Sequence, residues 1–213
     1  MSKKNKLMFK IQDIIQSVDE ISMKEVITLD QIIELDGGLN NRELYLGDLV
    51  ENVGTVIDTC IRFWNRQDEE AGVPVEKRQP IKLYINSTGG FIVEAYTIIN
   101  AIELSKTPVW TIATGAAYSG GFFIFIAGHK RFAYRLASFL FHEGSAGNAG
   151  DAGKFRNFAA FYEKTLNQLR EITLKYTNIT PEEYEKHIKD DWWFTAEEAV
   201  ANGIADEIST ELI

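Results

Sequence analysis

Thiols are nearly missing from this chain. Cys60 is its single cysteine in 213 residues, so no disulfide can form within it and a cysteine-rich metal site is excluded. That usage is compatible with a reducing compartment. Long apolar runs are missing too. The longest candidate, residues 120–128 (GGFFIFIAG), has half of the roughly 18 residues that a membrane span needs. The basic start, MSKKNKLMFKIQD, is not followed by an apolar block with a small-residue cleavage site, so no secretory signal is read there. The expectation is a soluble, cytoplasmic protein without a membrane partner. Basic residues are the minority: 22 Lys and Arg stand against 31 Asp and Glu, a formal charge of −9. This balance speaks against nucleic acid as a partner, because phosphate-backbone binding depends on clustered cations. Histidine is also scarce, with three residues in all, so each can be weighed singly.

What is present is ordinary globular composition, 45% hydrophobic and 25% charged, which rules out a disordered chain. A chain of this length can bury roughly 70% of its unfolded surface in one core, and one domain is expected over residues 41–213. Residues 1–40 read as an N-terminal arm, closed by the turn-rich Asp36-Gly37-Gly38-Leu39-Asn40-Asn41. A frayed lead-in or short hairpin is an equal reading.

From Arg42 onward the pattern is regular. Residues 43–47 (ELYLG) read as a strand and residues 50–64 as a helix, with Val53, Val56, Ile57, Cys60 and Phe63 at helical spacing. A charged loop over 65–80 leads to a strand at 81–85 (IKLYI), a turn at 86–90, a helix at 91–105 and a strand at 109–114 (VWTIAT). The small residues 115–121 read as a turn into a short apolar helix that ends near Gly128. Strands alternating with helices imply right-handed crossovers and a mostly parallel α/β sheet. Short strands at 131–134 and 138–141 precede a long helix at about 153–176. Its stripe of Phe155, Phe158, Tyr162, Leu166, Leu169, Ile172 and Tyr176 fits either core or an oligomer interface. Thr180-Pro181-Glu182-Glu183 and Thr195-Ala196-Glu197-Glu198 are helix starts with threonine caps.

Three places carry candidate chemistry. Ser119 lies among small residues at a strand-to-helix junction, where free backbone N–H groups can hold an anion. Local sequence alone favours the plainer reading, a helix cap, and Ala117 breaks the G-x-S-x-G elbow pattern. His142 ends the apolar run SFLFHEG and enters a glycine-rich loop, whereas His129 and His187 read as surface residues. No second His or Cys stands at ligand spacing, so no metal is expected. Asp190 and Asp191 precede Trp192-Trp193-Phe194, and acids beside bulky aromatics are expected to be partly desolvated and in need of a partner. Solvated acids at a helix end are the competing reading.

Taken together, these residues give an ordered Ser…His…Asp set within blocks that resemble the Clp protease proteolytic subunit family. Residues 84–90 (YINSTGG) are similar to its Y-I-N-S-P-G-G turn, residues 115–121 (GAAYSGG) to its G-x-A-A-S-M-G segment, and residues 141–144 (FHEG) to its I-H-Q-P. Residues 191–200 (DWWFTAEEAV) are similar to D-R-F-[LM]-S-A-x-E-A-V and residues 203–208 (GIADEI) to G-L-V-D-x-I. The resemblance spans residues 42–208. It implies a Clp/crotonase-like α/β fold of repeated βαβ units with a protruding long handle helix, the handle region lying at about 144–178.

The resemblance also implies roles. Ser119 would be the nucleophile, His142 the general base and Asp191 the residue that orients the imidazole, with backbone N–H groups of Gly89 and Gly120 as the oxyanion hole. The chemistry is consistent, since a serine needs an adjacent base, the base needs an acid to fix its tautomer, and the tetrahedral intermediate needs preorganised donors. No cofactor is implied in this chain, ATP being used by a partner. The implied partners are unfolded protein or peptide substrates, a AAA+ unfoldase of the ClpX, ClpA or ClpC type, and further copies in heptameric rings stacked as a tetradecamer. Thr88 stands where the family has proline, which predicts a looser glycine turn, and Glu143 and Gly144 replace its Gln-Pro. Three other readings remain: a weakly active or scaffold ring subunit, a crotonase-type acyl-CoA enzyme, and a signal-peptide-peptidase relative with a Ser-Lys dyad. The full triad counts against the first two, and the absence of an anchor against the last.

Overall fold

A computed structural model describes residues 41–147 and 149–213; the arm expected over residues 1–40 lies outside the described residues. Three strands, β1 (Glu43–Leu46), β2 (Ile81–Ser87) and β3 (Val109–Tyr118), lie side by side and parallel. Helix α1 (Val53–Glu70) connects the first pair and α2 (Ile92–Leu104) the second. After β3 the chain turns into α3 (Gly120–Ile126) and returns as β4 (Lys130–Tyr134), parallel to β3. Strand β5 (Ser138–Phe141) leads to α4 (Ala152–Tyr176) and α5 (Pro181–His187), then to β6 (Trp192–Thr195), α6 (Ala196–Ala201) and β7 (Glu207–Ser209). The sheet order is β1-β2-β3-β4-β7, with β5 on β3 and β6 on β5. The α/β class and the parallel sheet agree with the sequence reading.

Strand β2 runs two residues past Ile85, and two further elements exceed expectation by four residues or more, each for a legible reason. Helix α1 continues through the charged residues 65–70 that read as loop. Their polar groups are used inside the fold: the Asn65 carbonyl oxygen accepts from the N–H groups of Lys106 and Thr107, and Asp68 is buried. The Asp68 carboxylate accepts from Arg42 at 2.6 and 2.8 Å and from the Thr107 hydroxyl at 2.8 Å. A buried charge persists only when paired in this way. Strand β3 likewise runs four residues past Thr114. Its Gly115-Ala116-Ala117 segment is held extended because β5 supplies a partner there, with Ala116 opposite Ser138 and Tyr118 opposite Leu140. The β2–β3 register shifts between Ile85 and Ser87, and the Asn86 side chain bridges the irregularity by accepting from the Ala116 N–H at 3.0 Å.

All seven residues of α3 are buried, as a helix that is apolar on every side must be. Phe122, Phe123 and Phe125 pack with Phe139 and Phe141 of β5 as a chain of tilted and edge-to-face rings. Each such side chain contributes about 1.5–3 kcal/mol on burial, so the α3–β5 junction is a rigid base for whatever lies at its end. The threonine caps are as expected: Thr180 with Glu183 and Thr195 with Glu198 form reciprocal capping boxes. Helix α4 divides in two. Thr165, Leu169 and Thr173 are buried, while Phe155 and Phe161 are 56% and 66% exposed. Among the described residues no helix is long and apolar enough to cross a membrane.

Candidate active site

The two ladders of β5 fix the site. Tyr118 of β3 lies opposite Leu140, and Phe141 lies opposite Trp192 of β6. One step beyond these pairs, Ser119, His142 and Asp191 come out at neighbouring strand ends, although 23 and 49 residues separate them in order along the chain. The Ser119 N–H donates to the Leu140 carbonyl at 2.9 Å, which ties the turn directly to the strand that carries His142.

Ser119 stands at the N-cap position of α3, but its side chain is not the cap. Its hydroxyl makes no capping hydrogen bond, and its backbone sits at φ 52°, ψ −120°. A positive φ is costly for a residue with a Cβ, of order 1–3 kcal/mol, and such strain concentrates at functional sites. The strand–turn–helix geometry is that of a nucleophile elbow, reached without the glycine two residues earlier that the elbow pattern calls for.

The His142 ring offers two different nitrogens. Nδ1 lies 3.3 Å from Asp191 Oδ1. Nε2 is buried and has no hydrogen-bond partner among the described residues, the Ser119 hydroxyl included. An orphaned buried polar atom in a folded protein asks for an explanation, and a base whose proton donor has still to close on it is one. Asp191 departs from expectation: its side chain is 59% exposed. The desolvating cluster is elsewhere, because Trp192 packs away from it against Phe194, Phe141 and His187. Asp190 is exposed as well. Of the other histidines, His129 accepts from the Val109 N–H at 2.9 Å, at the opposite end of β3 from Ser119. His187 is half-buried rather than a surface residue, its ring stacked 4.1 Å from that of Trp192.

The glycine turn presses against Ser119. A Cβ on Gly89 would lie 2.7 Å from the Ser119 Cβ, and Gly89 has φ +104°, so no other residue fits there. Its N–H, expected to face an oxyanion, instead donates to the Ser87 hydroxyl at 3.1 Å. The neighbouring Gly90, at φ +136°, meets the Leu49 carbonyl so closely that a Cβ would come within 2.4 Å of it. Gly90 makes no N–H hydrogen bond among the described residues, and a Cβ on Gly120 would lie 3.9 Å from the Gly90 nitrogen. Gly120 opens α3, where the first N–H groups have no intrahelical acceptor. The backbone donors left free beside each other here are therefore those of Gly90 and Gly120. Sequence reasoning missed Gly90, although a serine two residues before a glycine N–H is a local turn signal. Thr88 is not loose either: its N–H and its hydroxyl both donate to Asp48 Oδ1, at 2.7 and 2.8 Å.

A family model for Clp protease matches residues 74–211, a stretch that takes in the glycine turn, Ser119, His142 and Asp191. The match covers well over half of the chain, and on it this protein belongs to the Clp protease family.

Proposed function

We propose that the chain is a serine endopeptidase subunit that hydrolyses peptide bonds of unfolded chains. Ser119 attacks the scissile carbonyl, His142 Nε2 takes the hydroxyl proton and passes it to the leaving amine, and Asp191 holds Nδ1. The backbone N–H groups of Gly90 and Gly120 stabilise the oxyanion, with Gly89 giving the turn its close approach. Each such donor is worth roughly 3–4 kcal/mol of barrier. The observation that carries this reading is the His142 ring, with one nitrogen beside a carboxylate and the other buried, unpartnered and at the strand end next to a strained serine.

The proposal extends to the assembly. Helix α4 acts as the handle of a Clp/crotonase-like fold, two heptameric rings stack through it, and the active sites face a closed chamber. A AAA+ unfoldase feeds that chamber and spends the ATP, so this chain needs no cofactor of its own. Fluorophosphonate labelling of the intact protein, with the adduct located by mass spectrometry, is the test. Modification at Ser119, lost in Ser119→Ala, is expected. An unlabelled protein in its assembled state would favour the scaffold-subunit reading instead.

A further inference from the structure

The residue at position 88 makes this glycine turn chemically unlike the proline-containing turn it resembles. A proline holds such a turn by its fixed φ and has no N–H. Thr88 has a free φ and two donors, and both end on one oxygen, Oδ1 of Asp48. The residue after Asp48 grips the same turn from the other side. The Leu49 N–H donates to the Gly89 carbonyl at 2.7 Å, and the Leu49 carbonyl accepts from the Phe91 N–H at 2.9 Å. Gly90 is bracketed between these bonds in an isolated parallel bridge to Leu49, and Leu49 itself is buried.

We infer that Asp48 is a positioning residue for the peptidase reaction. By taking both Thr88 donors it fixes the turn, and so the direction of the Gly90 N–H, in place of the rigidity that a proline would supply. Asp48 touches no reacting atom. This inference rests on the serine-peptidase reading above. An oxyanion donor acts only in the transition state, so its misalignment lowers kcat and leaves KM nearly unchanged.

The test uses the full-length protein in its assembled form, with a fluorogenic peptide as substrate. Asp48→Ala is expected to lower kcat about tenfold with KM within twofold, and to raise amide hydrogen exchange in the peptide covering residues 86–91. Adding Thr88→Pro to Asp48→Ala is expected to restore most of the loss, because the ring fixes φ and removes the N–H left without an acceptor. Unchanged kcat and unchanged exchange in Asp48→Ala would overturn the inference. So would a loss that Thr88→Pro leaves in place, since Asp48 would then act otherwise than through the turn. A wild type that neither hydrolyses peptide nor takes the fluorophosphonate label would sink the peptidase reading. The exchange measurement decides the Asp48 clamp in that case too, with faster exchange in Asp48→Ala upholding it and equal exchange refuting it.

Discussion

His142 Nδ1 and Asp191 Oδ1 stand 3.3 Å apart across the β5–β6 ladder, one step past the Phe141–Trp192 pair. The antiparallel register alone brings them there, so a slip of one residue would put Asp190 in place of Asp191 and turn it to the other face. Position along the ladder thus selects which of two adjacent, exposed acids can serve the imidazole.

The first prediction follows. On the serine-peptidase reading, Asp191→Asn removes the carboxylate beside Nδ1 that fixes the His142 tautomer, and turnover is expected to fall by roughly 10³–10⁴-fold. Asp190→Asn, at an exposed position, should remain within about twofold. Steady-state hydrolysis of a peptide by both variants is the check, and the opposite ranking would refute the assignment.

Ser119 allows activity to be separated from stability. Because its hydroxyl caps nothing, Ser119→Ala should abolish hydrolysis while the urea midpoint hardly moves. Ser119→Gly should also be inactive but more stable by about 1 kcal/mol, since glycine accepts φ 52° without the Cβ penalty. Equal midpoints for the alanine and glycine variants would mean that the elbow stores no strain.

Much of the α/β order was legible because the strands and helices carry their own periods, and the two threonine capping boxes were visible as four-residue signals. The Ser…His…Asp order was legible only as types in sequence, since nothing local says that strand ends 23 and 49 residues apart meet. What escaped was set by tertiary partners. Residues 65–70 read as loop because their charges look solvated, whereas Asn65 accepts from the Lys106 and Thr107 N–H groups and Asp68 holds the Arg42 guanidinium. Between Gly89 and Gly90 the one local signal is Ser87, and the structure shows its hydroxyl occupying the Gly89 N–H and leaving the Gly90 donor free.

The Asp68–Arg42 pair gives a pH dependence with a definite sign. Hydrogen bonding from Arg42, with help from the Thr107 hydroxyl and against the opposing effect of burial, holds the Asp68 carboxyl below its ordinary range. A depressed folded pKa contributes stability above the unfolded value of about 3.9, and that contribution is lost as pH falls through the folded value. Urea midpoints between pH 5 and pH 2.5 should therefore drop more steeply in wild type than in Asp68→Asn. At neutral pH Asp68→Ala, which strands a mostly buried Arg42, should cost about 3 kcal/mol or more. Parallel pH profiles for wild type and Asp68→Asn would show that the pair contributes nothing to acid sensitivity.

Assembly is best tested on α4, away from the site. Tyr162 is a poor probe, because its hydroxyl donates to the Glu143 carbonyl at 3.1 Å, next to His142, and Phe158 stacks on Tyr162. Phe155 and Phe161 are better. Both are more than half exposed in the single chain, and Phe161 lies off the stripe that the sequence periodicity picked out. Covering each in a ring–ring contact would contribute at most about 1.5–3 kcal/mol before entropic costs, so a pair of them repeated around a ring is enough to matter. Phe161→Glu is expected to break the stacked particle into smaller species with reduced peptide hydrolysis, and to leave the thermal midpoint of the subunit nearly unchanged. Leu169→Glu, at a position 4% exposed, should instead destabilise the subunit itself by several kcal/mol. Light scattering and thermal melts on the three proteins separate these effects. A wild type that scatters as a single 24.1 kDa chain would leave Phe155 and Phe161 without a partner copy and the chamber without walls.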